Sequence, residues 1–237
     1  MADSDAYHRA YLDAIEAIGK ASNGRGPIDG PGISVKLSAL HPRYEFAQRE
    51  RVMAEMLPRL REICRAAARH DIGLCIDAEE TERLDISLDV IDAVSADPEL
   101  TGWQGLGCAV QAYQKRAAPV LDWLADTARR DGRRLMVRLV KGAYWDAEIK
   151  HAQERGDSEY AVFTRKANTD VSYLACVQRM LAHSEHIYPQ FATHNAHTIA
   201  YVMEAVGERT DFEFQRLHGM GEALYDQIAP RHHHAYP

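Results

Sequence analysis

Six short apolar segments recur along the chain, and helical patterns separate them. The segments are GISVKLS (32–38), IGLCIDAEE (72–80), GLGCAVQAY (105–113), RLMVRLVKG (134–142), YPQFATHNAH (188–197) and FEFQRLHGM (212–220). Because their apolar residues run nearly continuously instead of alternating with polar ones, they predict strands that are buried on both faces. Strands that alternate with helices in this way predict a parallel sheet with right-handed crossovers.

The intervals between these segments carry helical patterns. In residues 51–70, apolar side chains recur at three- and four-residue spacing, which predicts an amphipathic helix facing the core. Pro58 predicts a kink inside it. The same pattern predicts further helices over 118–130, 170–183 and 198–209.

Two folds fit such a sheet: a doubly wound open sheet and a closed (β/α)8 barrel. Neither a GxGxxG nor a Walker sequence follows any segment, which weakens the nucleotide-binding open sheet. Polar residues stand at nearly every segment end, and a barrel gathers all such ends around one site, whereas an open sheet uses only those at its switch point. The pattern therefore favours a TIM-like barrel, although the predicted strands are fewer than this fold normally has.

Composition and charge narrow the class of protein. The 237 residues suit one domain, and 46% hydrophobic with 27% charged residues is typical of a globular protein. A formal charge of −7 argues against nucleic-acid binding, which requires a basic surface. No apolar run is long enough to span a membrane, and the N-terminus has no signal-peptide pattern. Four scattered cysteines without a CxxC pair indicate core thiols of a reducing compartment.

Lys36 and Asp77 are candidate site residues at the ends of the first two segments. The apolar neighbours of Lys36 predict a buried ammonium that requires an anion: a substrate, a phosphate or, as a purely structural pair, Asp77. A Schiff-base lysine is a third interpretation. Glu79 and Glu80 are interpreted as solvated loop or cap residues, with Glu80 meeting a basic side chain.

His194 and His197 are three residues apart, but the sequence supplies no third ligand and no HExxH, so it does not favour a metal site. Thr193 and Asn195 suit a polar ligand with many acceptors. In LVKGAYW (139–145), Gly142 permits close backbone approach, Lys141 and Arg138 add positive charge, and Trp145 offers a face for stacking a flat ring. The alternative is that Trp145 is core filler at the start of a helix.

Several long motifs, taken together, closely resemble the proline dehydrogenase domain of bifunctional proline utilization A proteins. The match runs from about Tyr7 to Ile228, and its motifs read AIGKASNGRG, GPGISVKLSALHPRYE, IDAEETERLDISLD, QAYQKR, RLVKGAYWDAEIK, YPQFATHNAHT and FQRLHGMGE. The resemblance implies a flavoenzyme on a distorted (β/α)8 barrel that oxidises L-proline to Δ1-pyrroline-5-carboxylate with FAD. It also implies that electrons pass to a membrane quinone, from a protein that is cytoplasmic or peripheral at the inner face of the cytoplasmic membrane.

The resemblance implies substrate contacts for residues in the matching motifs. Lys36 is expected to pair with the proline carboxylate. Asp77 is expected near the substrate nitrogen and the flavin, with Ala78 beside it. Tyr144 is expected to shape the proline pocket, and Leu217 to pack on the substrate ring.

The resemblance also implies a set of FAD contacts. Arg138 is expected near flavin N5, where negative charge develops on reduction, and Gln111 is expected to hydrogen-bond the flavin ring. The full cofactor set is Asp77, Ala78, Gln111, Arg138, Val140, Lys141, Gly142, Trp145, Thr164, Lys166, Thr193, His194, Asn195 and Gln215. The implied reaction is hydride transfer from proline C5 to flavin N5 with loss of the amine proton, so positioning and charge compensation supply the catalysis.

The chain departs from the family pattern at both ends. In the family, one strand precedes AIGKASNGRG, and a last strand and a helix with paired arginines follow GEALYDQ, whereas this chain continues as APRHHHAYP. The expectation is one incomplete barrel domain over 1–237, with about six of eight strands, that is inactive or nearly so alone and pairs with the missing segments or with itself. The alternatives are a non-flavin barrel enzyme using a Schiff-base lysine or a metal, and a non-catalytic remnant.

Overall fold

The six predicted strands all form. The computed structural model describes residues 2–228, so the divergent segment after Ile228 lies outside the described residues. The strands form one sheet in sequence order, and the pairings of the first with the second, the second with the third and the fifth with the sixth are parallel. Their bounds are β1 Gly32–Val35, β2 Gly73–Ile76, β3 Leu106–Gln111, β4 Leu135–Val140, β5 Ile187–Ala192 and β6 Glu213–Gln215.

Helices fill the connections between these strands. Their bounds are α1 Ala2–Ser22, α2 Gly26–Asp29, α3 Leu37–Leu40, α4 Arg49–Glu55, α5 Leu57–Arg69, α6 Leu84–Ser95, α7 Ala117–Arg130, α8 Trp145–Arg155, α9 Lys166–Ala182, α10 Ala196–Val206 and α11 Glu222–Tyr225. Within the described residues, none of these helices is long and apolar enough to cross a membrane.

The burial of the strands follows the sequence pattern closely for all but the first. Every residue of β2 is buried, and β5 is buried up to its last residue. The prediction of strands buried on both faces is therefore confirmed for these two. It is wrong for β1, where only Val35 is buried.

The helix predicted over 51–70 is two helices. Met56 separates α4 from α5, and Pro58 occupies the first turn of α5, where a missing N–H costs no helical hydrogen bond. The kink predicted at Pro58 is thus a helix boundary. The long helix α1 was not predicted; Ile15 is fully buried on it, and the left-handed residues Asn23 and Gly24 follow its end.

The chain divides into two compact units. Unit 1 comprises residues 1–109 and 127–136, and unit 2 comprises residues 110–126 and 137–237. Unit 1 has an aliphatic core to which α5 contributes Leu60, Ile63 and Cys64. Unit 2 has an aromatic core in which the rings of Phe212 and Phe214 meet edge to face, 5.7 Å apart.

Candidate active site

Four polar side chains of unit 2 form a continuous hydrogen-bonded set, called here the Arg138 network: Arg138, Gln215, Glu213 and Gln190. Arg138 Nε donates to Gln215 Oε1 at 2.6 Å. Gln215 Nε2 donates to Glu213 Oε1 at 2.6 Å, and Gln190 Nε2 donates to the same carboxylate oxygen at 2.9 Å. The sequence-predicted site residues Arg138 and Gln215 are therefore brought into direct contact.

Strand geometry explains why these side chains meet. Gln190 of β5 is the register partner of Glu213 of β6, and Gln215 lies two residues further along the same strand, so all three share a face of the sheet. Phe191 and Phe214 point to the other face and are buried in the aromatic core. The aromatic residues thereby fix which way the polar ones point.

Burial differs along the Arg138 network. Glu213 and Gln190 are buried, whereas Gln215 and Arg138 are half-buried. A buried carboxylate is costly unless hydrogen bonds compensate it, and here two amide groups donate to it. The network thus runs from a buried negative charge to a half-buried positive one.

Two lysines of unit 2 share one carboxylate. Lys141, in the loop after β4, pairs with Asp170, and Lys166 Nζ lies 2.8 Å from the other Asp170 oxygen. Hydrogen bonds from Lys141 and then Lys166 hold the pKa of Asp170 below its ordinary value. The two lysines carry one more positive charge than this carboxylate neutralises, so the cluster suits an anionic ligand.

The loop after β4 packs against the end of β3. Gly142 has φ +144°, and a Cβ there would collide with the ring of Tyr113. Ala143 N donates to Gln111 Oε1 at 3.1 Å, which turns the amide nitrogen of Gln111 away from the loop. The close approach expected at Gly142 is therefore an approach by the chain's own Tyr113 ring.

Trp145 begins α8 and is 41% exposed. Its indole Nε1 donates to Phe163 O at 2.9 Å, which holds the ring in place without burying it. The interpretation of Trp145 as core filler is wrong, because the ring lies on the surface of unit 2. Thr164 and Lys166 follow Phe163 in the chain and are also exposed.

The THN sequence after β5 forms the start of α10. Asn195 is the N-cap residue, and its Oδ1 accepts from Thr198 N at 2.9 Å. His194 Nε2 accepts from Leu217 N at 2.9 Å, so the neutral ring carries its proton on Nδ1. Tyr225 OH donates to Thr193 O at 2.7 Å, and burial raises the pKa of Tyr225 to about 12.

The remaining predicted residues of unit 2 lie near these groups in the sequence. Val140 is half-buried at the end of β4, and Tyr144 is half-buried immediately before α8. Leu217 is 63% exposed on the segment after β6.

Unit 1 holds Lys36, Asp77 and Ala78. Val35 pairs with Ile76 across the two strands, so Lys36 and Asp77 follow neighbouring strand ends, and Asp77 N donates to Val35 O at 2.9 Å. Lys36 is exposed, which makes the prediction of a buried ammonium wrong: β1 stops at Val35, and Lys36 is already the residue that precedes α3. Asp77 and Ala78 are half-buried.

Glu79 is not the solvated residue that was predicted. Its side chain is 6% exposed, accepts from Ser38 N at 3.0 Å and contacts Arg83 at 2.6 Å. It thereby ties the start of α3 to the loop after β2. Glu80 does meet a basic side chain, as predicted, because Arg83 lies 3.3 Å away.

Sequence reasoning missed four residues that hold the site together: Tyr113, Asp170, Glu213 and Tyr225. Asp170 stands one helical turn after Lys166, and Glu213 stands two positions before Gln215, so spacing alone could have suggested both. Tyr113 and Tyr225 contact residues distant in sequence and carry no such signal. Within residues 2–228, no group of three or more His, Cys, Asp and Glu side chains is arranged to hold a metal ion.

Comparisons with known proteins agree with this architecture. The sequence profile of the family described as proline dehydrogenase matches residues 1–236. The bifunctional protein PutA of Salmonella typhimurium is 59% identical over 230 residues, which cover 96% of this chain and 17% of that protein. The proline dehydrogenase of Deinococcus radiodurans is 27% identical over 231 residues, covering 96% of this chain and 66% of that protein.

Solved structures show the same fold. A crystal structure of a variant of proline utilization A from Bradyrhizobium japonicum matches with a TM-score of 0.96 and 57% identity, over 99% of this chain and 24% of that one. Proline utilization A from Bdellovibrio bacteriovorus, inactivated by N-propargylglycine, matches with a TM-score of 0.89 and 28% identity, over 96% and 25% respectively. The predicted α/β fold, an incomplete TIM-like barrel, is confirmed. The chain belongs to the proline dehydrogenase family.

Proposed function

We propose that this chain carries the FAD- and proline-binding residues of a proline dehydrogenase, which oxidises L-proline to Δ1-pyrroline-5-carboxylate. The family match supports the activity, although the chain spans only 17% of the length of its Salmonella relative. FAD, when bound, supplies the hydride acceptor at flavin N5. Electrons then pass to a membrane quinone, and the protein acts in the cytoplasm or at the inner face of the cytoplasmic membrane.

The Arg138 network is the observation that carries this proposal. Gln215 holds the half-buried guanidinium of Arg138 at 2.6 Å, so the positive charge has a fixed direction. A fixed cation stabilises negative charge that develops on a flavin ring without reorganising during the reaction. Gln111 is oriented by the Ala143 N–H, so its amide nitrogen suits a ring acceptor. Val140, at the end of β4, and Gly142, in the loop that follows, offer backbone groups.

The phosphate and adenosine parts of FAD have matching groups in unit 2. The Lys141–Lys166–Asp170 cluster carries a surplus positive charge, and Thr164 lies just before it. Thr193, His194 and Asn195 lead into the N-terminus of α10, which favours anions. The exposed face of Trp145 suits stacking of an adenine ring.

Each unit has its own set of residues that are proposed to contact proline. In unit 1, Lys36 pairs with the proline carboxylate and Asp77 receives the amine, beside Ala78. In unit 2, Tyr144 and Leu217 form apolar contacts with the substrate ring. The exposure of Lys36 and Leu217 leaves both side chains accessible to a ligand.

Flavin uptake by the purified chain tests the proposal. We expect the chain to take up FAD with quenched flavin fluorescence, whereas anaerobic L-proline should bleach the bound flavin slowly at most, because the chain alone is expected to be inactive or nearly so. Replacing Arg138 with Met should weaken FAD binding roughly ten- to hundredfold, the effect of losing hydrogen bonds to a charged group. The matched control Arg209→Met removes an exposed arginine that contacts Ser184 and should leave FAD binding unchanged.

Two results would contradict the proposal. A folded chain that takes up no FAD would remove the cofactor assignment. A colourless chain that is trapped by borohydride in the presence of substrate would instead point to a Schiff-base lysine.

A further inference from the structure

Glu213 occupies the buried end of the Arg138 network, and the family resemblance gave it no role. Its Oε1 accepts from two amides, Gln190 at 2.9 Å and Gln215 at 2.6 Å. We propose that Glu213 is a positioning residue that sets the direction of the Arg138 guanidinium through the side chain of Gln215. The inference deepens the proposed function and rests on it only for the claim that Arg138 serves the flavin.

The chemistry at the two ends of the network fixes the orientation of Gln215. A carboxylate only accepts hydrogen bonds, and a guanidinium only donates them. An amide that lies between them must turn its nitrogen to Glu213 and its oxygen to Arg138, which is the arrangement observed. Rotating the amide by half a turn would place donor against donor at Arg138 and acceptor against acceptor at Glu213. The carboxylate and the guanidinium therefore impose the same orientation from opposite ends.

A glutamine at position 213 would not impose it. A side-chain amide both donates and accepts, so either orientation of Gln215 would find a partner there. Arg138 alone would then favour the observed orientation, and whenever the amide rotates, Arg138 Nε would face an amide nitrogen and lose the Gln215 acceptor. A negative charge at this buried position is costly, and the direction that it imposes on Gln215 offers a reason for it.

Gln190 supports this role from the neighbouring strand. It is the register partner of Glu213, and its amide nitrogen donates to the same oxygen. The amide oxygen of Gln190, Oε1, is buried without a hydrogen-bond partner among the described residues. The orientation in which Gln190 donates to Glu213 therefore costs one unsatisfied polar atom. Donation to the carboxylate offsets that cost, because hydrogen bonds to charged groups are stronger than those between neutral groups.

The direct test observes the Arg138 Nε–H proton by NMR in the flavin-free chain. In wild type, this proton should exchange slowly with solvent. In Glu213→Gln, it should exchange faster, by up to the roughly ten- to hundredfold that complete loss of a hydrogen bond to a charged group gives. The control Glu204→Gln removes the same charge from an exposed position on α10 and should leave the exchange rate unchanged.

A charge-swap variant separates positioning from folding. The double substitution Glu213→Gln with Gln215→Glu moves the carboxylate next to Arg138 and keeps the net charge, and every donor of the network again meets an acceptor. Slow exchange at Arg138 should return in this variant. If Glu213→Gln leaves the exchange slow in a folded chain, or if the swap folds and exchange stays fast, the proposal is overturned. Should Glu213→Gln not fold, fast exchange in the folded swap variant still overturns the proposal.

FAD binding then distinguishes this proposal from the proposed function. Removing a negative charge should by simple electrostatics tighten binding of an anionic cofactor, whereas loss of positioning should weaken it. We expect Glu213→Gln to weaken FAD binding relative to Glu204→Gln, and tighter binding would contradict the positioning role. If wild type takes up no FAD, the proposed function fails while the proton-exchange result still decides the role of Glu213.

Discussion

Gly142 shows how one residue couples two segments of unit 2. Its φ of +144° lies in a region that essentially only glycine adopts, and its Cα faces the ring of Tyr113. Tyr113 N in turn donates to Lys141 O at 2.7 Å, so the aromatic residue is fixed by the loop that it packs against. A side chain at position 142 would have to displace either the ring or the loop.

We predict that Gly142→Ala lowers the free energy of unfolding by about 2–4 kcal/mol, which combines backbone strain with overpacking. Urea unfolding of the flavin-free chain measures it. Gly156→Ala is the matched control, since Gly156 has φ +69° but nothing within 4 Å of the position that a methyl group would take. That variant should therefore lose only the strain contribution of about 1–2 kcal/mol. Equal losses in the two variants would contradict the close contact with Tyr113.

Helix α10 shows how an element places several candidate residues at once. Asn195 caps it through Thr198 N and also accepts from Thr198 Oγ1 at 3.1 Å, while Thr193 Oγ1 accepts from Asn195 N at 3.2 Å. The first turn of the helix is thereby tied to the end of β5. The cap satisfies one backbone N–H that would otherwise lack a partner, and the other N–H groups of the first turn keep the partial positive charge of the helix end.

Asn195→Ala should lower the free energy of unfolding by about 1 kcal/mol, because the cap is lost, whereas Asn195→Ser should retain most of it. Thermal unfolding without flavin measures both changes. Asn168→Ala, in the exposed part of α9, replaces an asparagine inside a helix and should be neutral or slightly stabilising. An Asn195→Ala variant as stable as wild type would show that the cap contributes nothing.

The elements differ in how far the sequence predicted them. Continuous apolar runs predicted all six strands, because burial of β2 and β5 leaves few positions for polar residues. Helix α1 was not predicted, because its buried face has few large apolar residues from which a helical pattern could be recognised. Lys36 was expected to be buried because its neighbours in sequence are apolar, but its exposure depends on where β1 stops.

The site residues also divide into those that the sequence pattern indicates and those that only tertiary packing reveals. Residues at strand ends, such as Arg138 and Gln215, were named as candidates because strand ends carry chemistry in this fold, and the structure brings these two into contact. Glu213 and Asp170 were missed, since their roles depend on contacts with Gln215, Lys141 and Lys166 that only packing brings about.

Across the whole molecule, the four cysteines report on burial in each unit. Cys64, Cys75 and Cys108 belong to unit 1 and Cys176 to unit 2, and all four are buried free thiols. Burial raises the pKa of Cys64 to about 12 and that of Cys176 to about 11, and it raises the pKa of Cys108 as well. Thiolates react and thiols do not, so the folded chain should be inert to thiol reagents near neutral pH.

We predict that a thiol reagent labels none of the four cysteines in the native chain at pH 8 within the time that labels all four in urea.

We also predict that raising the pH destabilises the fold. An unfolded thiol loses its proton near its ordinary pKa of 9.0, whereas Cys176 retains it in the folded chain up to about 11. The unfolded state therefore binds fewer protons between these values, and stability contributed by the neutral thiols, fully present below pH 9, declines as the pH rises through that window. The midpoint of urea unfolding should therefore be lower at pH 10 than at pH 8. Replacing Cys176 with Ala should make this difference between the two midpoints smaller. Rapid labelling of any cysteine in the native chain at pH 8 would show that its part of the core opens to solvent.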